Sequence, residues 1–248
     1  MVKALYSAAS GMLGQQMRQE AVANNIANVS TTGYKKAIAT QRGFYQIYLD
    51  MLAAAELRSS DVPGGGMLLD ATGTDFSQGP LQDTGEPLDV ALDGPGFFVI
   101  ESPTGSHLYT RNGHFTCNEN GELVTENGYR VLGEGGTITA TGANVVLTDD
   151  GRVLVDGAEA GALQVVTFDD PRKLVRVGDS VFTVSEDVIP TIAETMKMVP
   201  GALEGSNTTV AREMVEMLTT MRAFEANQHV VRAVDRTLDS TINELGRV

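Results

Sequence analysis

Counted in sevens from Val210, the C-terminal segment has an apolar residue at every step: Val210, Met217, Phe224, Val231, Leu238 and Leu245. A companion row offset by four, Met214, Met221, Gln228, Asp235 and Ile242, is apolar at three of its five positions. A repeat sustained over about five heptads, with no glycine or proline from Thr208 to Leu245, predicts a long helix carrying a coiled-coil seam. Helical throughout, it would be roughly 57 Å long at 1.5 Å per residue. Asn207 is placed to cap its start, and Gly246 follows its last apolar residue, so the boundary signals agree with the period.

The N-terminal segment repeats the design less strictly. Leu5, Met12, Gln19 and Ile26 form one row, and Ala8, Gln15, Val22 and Val29 the other, apolar in six of eight places. The stripe is narrow, and Gly11 and Gly14 each weaken the helix by about 1 kcal/mol relative to alanine. Such a helix needs a partner, and the C-terminal helix is the obvious one. Its longer seam would leave apolar surface over, which points to neighbouring subunits. The simpler alternative is an intramolecular hairpin of the two helices packed on their own domain.

Between the ends the pattern changes. All eight prolines lie between Pro63 and Pro200. Turn dipeptides recur at Asp93-Gly94, Asn112-Gly113, Asn120-Gly121, Asn127-Gly128, Asp150-Gly151 and Asp156-Gly157, each suited to a two-residue hairpin turn in which both central residues take φ > 0. The runs between them predict nine strands: 96–100, 107–111, 113–117, 122–125, 129–132, 144–147, 152–155, 162–168 and 180–184. Short strands at this spacing predict a compact antiparallel β domain. The fold class is therefore α+β: long terminal helices pairing as a coiled coil, with a central antiparallel all-β domain. The expected division is a helical segment over 1–36, a connecting stretch over 37–66, the β domain over 67–204 and the second helical segment over 205–248.

Charge sharpens that division. Residues 1–58 carry six basic and three acidic side chains (net +3), residues 59–204 seven and 23 (net −16), and residues 205–248 five and six (net −1). The ends are close to neutral and free to pack, while the acidic middle repels itself and disfavours nucleic acid or an anionic membrane as partner. No apolar run approaches 18 residues, so no membrane-spanning helix and no membrane insertion are expected. Near the N-terminus Ser7, Ser10 and Gly11 interrupt the apolar stretch without a clear cleavage site, which disfavours a cleaved signal peptide.

Candidate chemistry changes little. Cys117 is the only cysteine, and His107, His114 and His229 are the only histidines, so neither an intrachain disulfide nor a multi-cysteine zinc site can form. The segment Asn118-Glu119-Asn120-Gly121-Glu122 and the pair Asp149-Asp150 faintly resemble calcium loops but lack the full 12-residue pattern and its closing glutamate; hairpin turns explain them better. No nucleophile elbow, phosphate loop or His-Glu-x-x-His helix is present. Catalytic residues, metals and cofactors are accordingly expected to be none.

Several longer runs carry a resemblance. Ala23-Asn24-Asn25-Ile26-Ala27-Asn28-Val29 followed by Thr32-Gly33-Tyr34-Lys35, and preceded by Tyr6 and Ala8-Ala9-Ser10-Gly11-Met12, resembles the N-terminal signature of bacterial flagellar rod and hook proteins. Phe76-Ser77-Gln78-Gly79-Pro80-Leu81, Pro87-Leu88-Asp89-Val90-Ala91-Leu92, Gly96-Phe97-Phe98-Val99 and Tyr109-Thr110-Arg111-Asn112-Gly113 continue it. Gly201-Ala202-Leu203-Glu204-Gly205-Ser206-Asn207, with Glu213-Met214-Val215 and Arg222-Ala223-Phe224-Glu225-Ala226-Asn227, is similar to the C-terminal signature.

The resemblance implies an axial subunit of the flagellar basal body. Its terminal helices would pair with each other and with those of neighbouring copies, and of other rod and hook proteins, into an inner tube, with the β domain facing outward. It also implies export in an unfolded state through the flagellar type III apparatus to a rod that spans the periplasm. Total length and the compact stretch 41–66 favour a proximal-rod type ahead of a distal-rod type, and the much longer hook protein is disfavoured.

The expected assembly interface comprises Leu5, Ala8, Met12, Val22, Asn24, Ile26, Asn28 and Val29 at one end, and Val210, Met214, Met217, Met221, Phe224, Val231, Leu238, Ile242 and Leu245 at the other. Asn24 and Asn28 share a helix face. Their amides would either bond across a subunit contact, fixing register, or belong to a solvated helix end leading into a turn at Gly33. The competing function is a free β-domain binding module oligomerised by a helical stalk.

Overall fold

A computed structural model describes residues 2–43, 67–142, 145–178, 180–184, 188–193 and 196–245. The chain forms two compact units. Of the stretch 41–66, where rod types are expected to differ, residues 44–66 lie outside the described residues, as does Gly246.

The helical unit joins both ends of the chain. Helix α1 (Val2–Ala27) packs against helix α2 (Val210–Leu245), the latter about 54 Å long at 1.5 Å per residue. Chain start and chain end thus share one helical layer, as the two stripes require. The unit also contains an antiparallel pair that the sequence pattern did not reveal, β1 (Ala37–Gly43) with β2 (Met67–Thr74). The pairing runs from Ala37 opposite Thr74 to Gly43 opposite Met67, with a slip between Ala39 and Gln41.

The β unit comprises 28–36 and 75–208. Its strands are β3 (Leu81–Asp83), β4 (Val90–Asp93), β5 (Phe97–Glu101), β6 (His107–Thr110), β7 (Phe115–Cys117), β8 (Leu123–Thr125), β9 (Arg130–Gly133), β10 (Gly136–Thr137), β11 (Val145–Leu147), β12 (Arg152–Val155), β13 (Ala158–Ala162), β14 (Val165–Thr167), β15 (Leu174–Gly178), β16 (Val181–Val184), β17 (Thr191–Ile192), β18 (Lys197–Pro200) and β19 (Ala202–Glu204). The main sheet runs β15-β16-β6-β5-β9-β8-β7. Every pairing among the described strands is antiparallel. The fold is α+β.

Strand β5 shows why this sheet forms. Its run Phe97-Phe98-Val99-Ile100 is buried on both faces, as an uninterrupted apolar strand must be. Phe98 and Ile100 enter one core with Val90, Leu92, Phe115, Leu123, Val131 and Val153. Phe97 and Val99 enter a second with Tyr109, Leu132, Val166, Leu174 and Phe182. Edge-to-face aromatic pairs tighten both, Phe98 on Phe115 at 5.2 Å between centroids and Phe76 on Phe182 at 5.1 Å, each adding about 0.5–1.5 kcal/mol to the area term.

The turns differ from expectation in type. Only at Asp156-Gly157 do both residues take positive φ, 51° and 85°, giving the two-residue hairpin between β12 and β13. At Gly121, Gly128 and Gly151 the glycine alone is left-handed (φ 77°, 78° and 77°), and its N–H closes on the carbonyl three residues back, at Asn118, Thr125 and Thr148. These are type I turns completed by a left-handed glycine, the next most common hairpin closure. Asn112-Gly113 is no such turn: a Cβ on Gly113 would lie 1.7 Å from the carbonyl oxygen of Val90, so glycine is there to let two backbones approach.

Candidate assembly surface and a buried charged node

On α1 the expected rows divide by depth. Ala8 and Val22 are buried, Met12, Gln15, Gln19 and Ile26 half-buried, and Leu5 exposed. Gly11 lies against α2: a Cβ there would sit 3.0 Å from Nδ2 of Asn227. The glycine that costs helix propensity therefore permits the close approach. Asn25, not Asn24 or Asn28, is the buried asparagine. Its Nδ2 donates to the Ala37 carbonyl (2.9 Å) and to Glu213 Oε2 (3.2 Å), and its Oδ1 accepts from the Ala37 N–H at 2.8 Å. Asn24 is exposed on α1. Asn28 and Val29 lie past the helix end, in the turn where Asn28 Oδ1 accepts from the Thr31 hydroxyl.

On α2 the two predicted rows separate. Met217, Phe224 and Val231 are half-buried, alongside buried Glu213 and Thr220 and half-buried Asn227. The apolar members of the companion row face solvent: Met214, Met221 and Ile242 are exposed, Ile242 at 67%, while Gln228 is half-buried. Val210 and Leu238 are also exposed, and the Leu245 side chain lies outside the described residues. Val215, Leu218 and Val230 extend the exposed apolar set, as do Leu13 and Met17 on α1. An ion pair, Arg18 with Glu216, links the two helices at their half-exposed rim.

Asn207 does not cap α2, whose first residue is Val210. Its Oδ1 accepts the Lys36 N–H (2.7 Å), and its Nδ2 donates to the carbonyls of Asp75 (2.9 Å) and Ser77 (3.1 Å). It belongs to a node inside the β unit that sequence periodicity missed. Lys35 and Glu204 are fully buried there and Arg111 nearly so. Lys35 Nζ donates to Glu204 Oε1 (2.6 Å) and to the Ser77 carbonyl (2.8 Å), and Oε1 also accepts the Gly79 N–H at 2.7 Å. Arg111 reaches Glu204 Oε2 at 3.3 Å and the Gly94 carbonyl at 2.8 Å, with its guanidinium 5.1 Å from the centre of the Phe97 ring. Burial lowers the pKa of both Lys35 and Arg111, with Glu204 opposing the shift. The node was legible only as family signature, because Lys35, Arg111 and Glu204 have no spacing that a period could register.

Other polar clusters are architectural. Asn118 closes its own turn, accepting from the N–H groups of Asn120 (3.0 Å) and Glu122 (2.8 Å), so the calcium-like segment is a hairpin. His114 Nδ1 lies 2.7 Å from Asp89 Oδ1, but Thr84 donates to Asp89 Oδ2 (2.6 Å); the hydroxyl meets the carboxylate rather than the ring, which is not the order that activates a nucleophile. Among the described residues no group of three or more histidine, cysteine or acidic side chains could hold a metal, and no helix is long and apolar enough to cross a membrane.

A helical pair with an apolar face left open, joined to a β unit holding its own core, defines a structural subunit of α+β type. Family comparison names the class. Residues 5–35 match the family described as flagella basal body rod protein, 91–155 the flagellar hook protein FlgE/F/G D1 domain, and 199–245 the flagellar basal body rod FlgEFG protein C-terminal region. The chain is 33% identical to the flagellar basal-body rod protein FlgG of Borreliella burgdorferi, over 96% of this chain and 97% of that one. It is 34% identical to FlgG of Caulobacter vibrioides over 97% and 98% of the two chains. The flagellar hook-basal body complex protein FlhO of Bacillus subtilis is 30% identical over the whole of both. The chain belongs to the flagellar basal-body rod protein family and is a structural subunit of the rod in the flagellar basal body.

Proposed function

We propose that α1 and α2 of each copy pack with those of neighbouring copies into a stiff tube that transmits motor torque to the hook. In this reading α1 and α2 are the axial segments, the β1–β2 arm over 37–43 and 67–74 belongs with them rather than with a central domain beginning at 67, and the acidic β unit sets spacing and solubility. The observation that carries it is the exposed row Met214, Met221 and Ile242 with Val215 and Leu218. That row repeats at heptad spacing beside a seam already used within the chain, and burying it between copies would contribute about 25 cal/mol per Å². The subunit reaches a periplasm-spanning rod unfolded, through the flagellar type III apparatus, without cleavage of its N-terminus.

The direct test substitutes the exposed row. Met221→Asp should abolish incorporation into basal bodies and motility while the purified subunit keeps its unfolding midpoint. Normal swimming with Met221→Asp and Met214→Asp combined would count decisively against the proposed tube contact.

A further inference from the structure

The charged node gathers four distant stretches of the β unit, 31–36, 75–79, 111 and 204–207, into one buried site. Its charges do not balance: two cations, Lys35 and Arg111, share one fully buried carboxylate, Glu204. Among the described residues Arg111 Nε is a buried donor without a hydrogen-bond partner, although the surplus charge has half-buried Asp75 in its neighbourhood. An over-cationic buried cluster with an unmet donor is not optimised for stability, because desolvation offsets much of the ion-pair attraction. The surrounding sheet is different in kind, held by apolar side chains such as Phe98, Ile100, Leu123 and Val131 that are wholly buried. Regions held in such different ways open at different free energies.

We propose that Lys35, Arg111 and Glu204 form a latch that opens as one unit, letting 28–36 and 204–208 leave the β unit while its main sheet stays folded. The chain path gives this a consequence. Residue 28 directly follows α1 and residue 208 lies just before α2, so one event frees the root of both helices. Glu204 is the member on which closure depends: without it, two cations would be buried with only half-buried Asp75 nearby. The latch is a property of the folded β unit and does not depend on the proposed tube contact.

Backbone hydrogen bonds report on it. The Gly33 N–H donates to the Glu204 carbonyl (2.7 Å), Gly79 to Glu204 Oε1 (2.7 Å), Lys36 to Asn207 Oδ1 (2.7 Å) and Gly205 to the Pro80 carbonyl (2.8 Å). Hydrogen exchange on the full wild-type chain should find these four amides opening together, at a common rate faster than the sheet amides of Val99, Ile100 and Leu123. In Glu204→Gln the four should accelerate by about a hundredfold or more while the sheet amides keep their rates. Lys35→Met, which removes the surplus cation, should slow them below Glu204→Gln. Exchange of node and sheet at one shared rate in the wild type would overturn the latch, even if Glu204→Gln fails to fold. So would unchanged node exchange in a folded Glu204→Gln, or Lys35→Met proving as loose as Glu204→Gln.

Discussion

The two units solve burial in opposite ways. In the β unit, whole aromatic side chains vanish from solvent: Phe98, Phe115 and Phe182 are each 1% exposed or less, among a shell of branched aliphatics. In the helical unit, among the described residues, the buried apolar side chains on α1 are Ala8, Ala21 and Val22, and the buried positions on α2 are the polar Glu213 and Thr220. The larger apolar residues of α2 are half-buried or open to water. A unit that buries alanines and displays methionines has an unfinished core. The β unit holds its core within one chain, whereas in the proposed tube the helical unit would be completed by neighbours, the arrangement a self-limiting monomer and a stable polymer both require.

Five substitutions would break or sharpen that contrast. Phe98→Ala should cost about 3–5 kcal/mol, read as a lower denaturant midpoint, whereas Leu13→Ala on the exposed face of α1 should change the monomer by less than about 0.5 kcal/mol. Equal losses would show that the two units are equally finished. Phe224→Asp or Val231→Asp, each placing a charge on the half-buried helix seam, should prevent incorporation into the rod while near-UV dichroism of the β unit stays unchanged. Arg18→Ala should cost well under 1 kcal/mol, since its partner Glu216 is itself partly solvated and exposed pairs contribute little.

The smallest effect is in alkali. Burial raises the pKa of the Tyr109 phenol above its ordinary 10.0. The unfolded chain then loses that proton first, so the contribution is complete below pH 10 and is lost as pH rises from there through the folded value. Tyr109→Phe should flatten the decline in melting temperature as pH rises above 10; an unaltered slope would mean that the phenol is not desolvated.

Periodicity made most of this fold legible. The strand over 152–155 was placed to the residue, and those over 107–111 and 122–125 to within one, because apolar runs bounded by Gly-containing turns leave little freedom. The strand expected over 162–168 is shorter, Val165–Thr167, and Ala162 instead ends β13. The arm β1 and β2 escaped notice because Ala-Ile-Ala-Thr-Gln-Arg-Gly alternates weakly and its partner lies far along the chain. On α2 the heptad showed that two rows exist but could not show which one the chain keeps for itself: the inner companions of Phe224 are Glu213, Thr220 and Asn227, polar residues that a hydrophobic count passes over. Among the asparagines of the signature, only three-dimensional placement singles out Asn25. The charged node, whose members appear in the signature runs, left no trace in the periodicity for the same reason, since long-range ion pairs have no local pattern.

Hydrogen exchange on the dilute monomer, comparing 5–26 and 210–242 with β5 and β8, tests the central claim most directly. Fast exchange along both helices over a protected sheet, with the helices becoming protected on polymerisation, is the predicted result. Helices as protected as β5 in the isolated chain would contradict the account, for the helical unit would then be complete without neighbours.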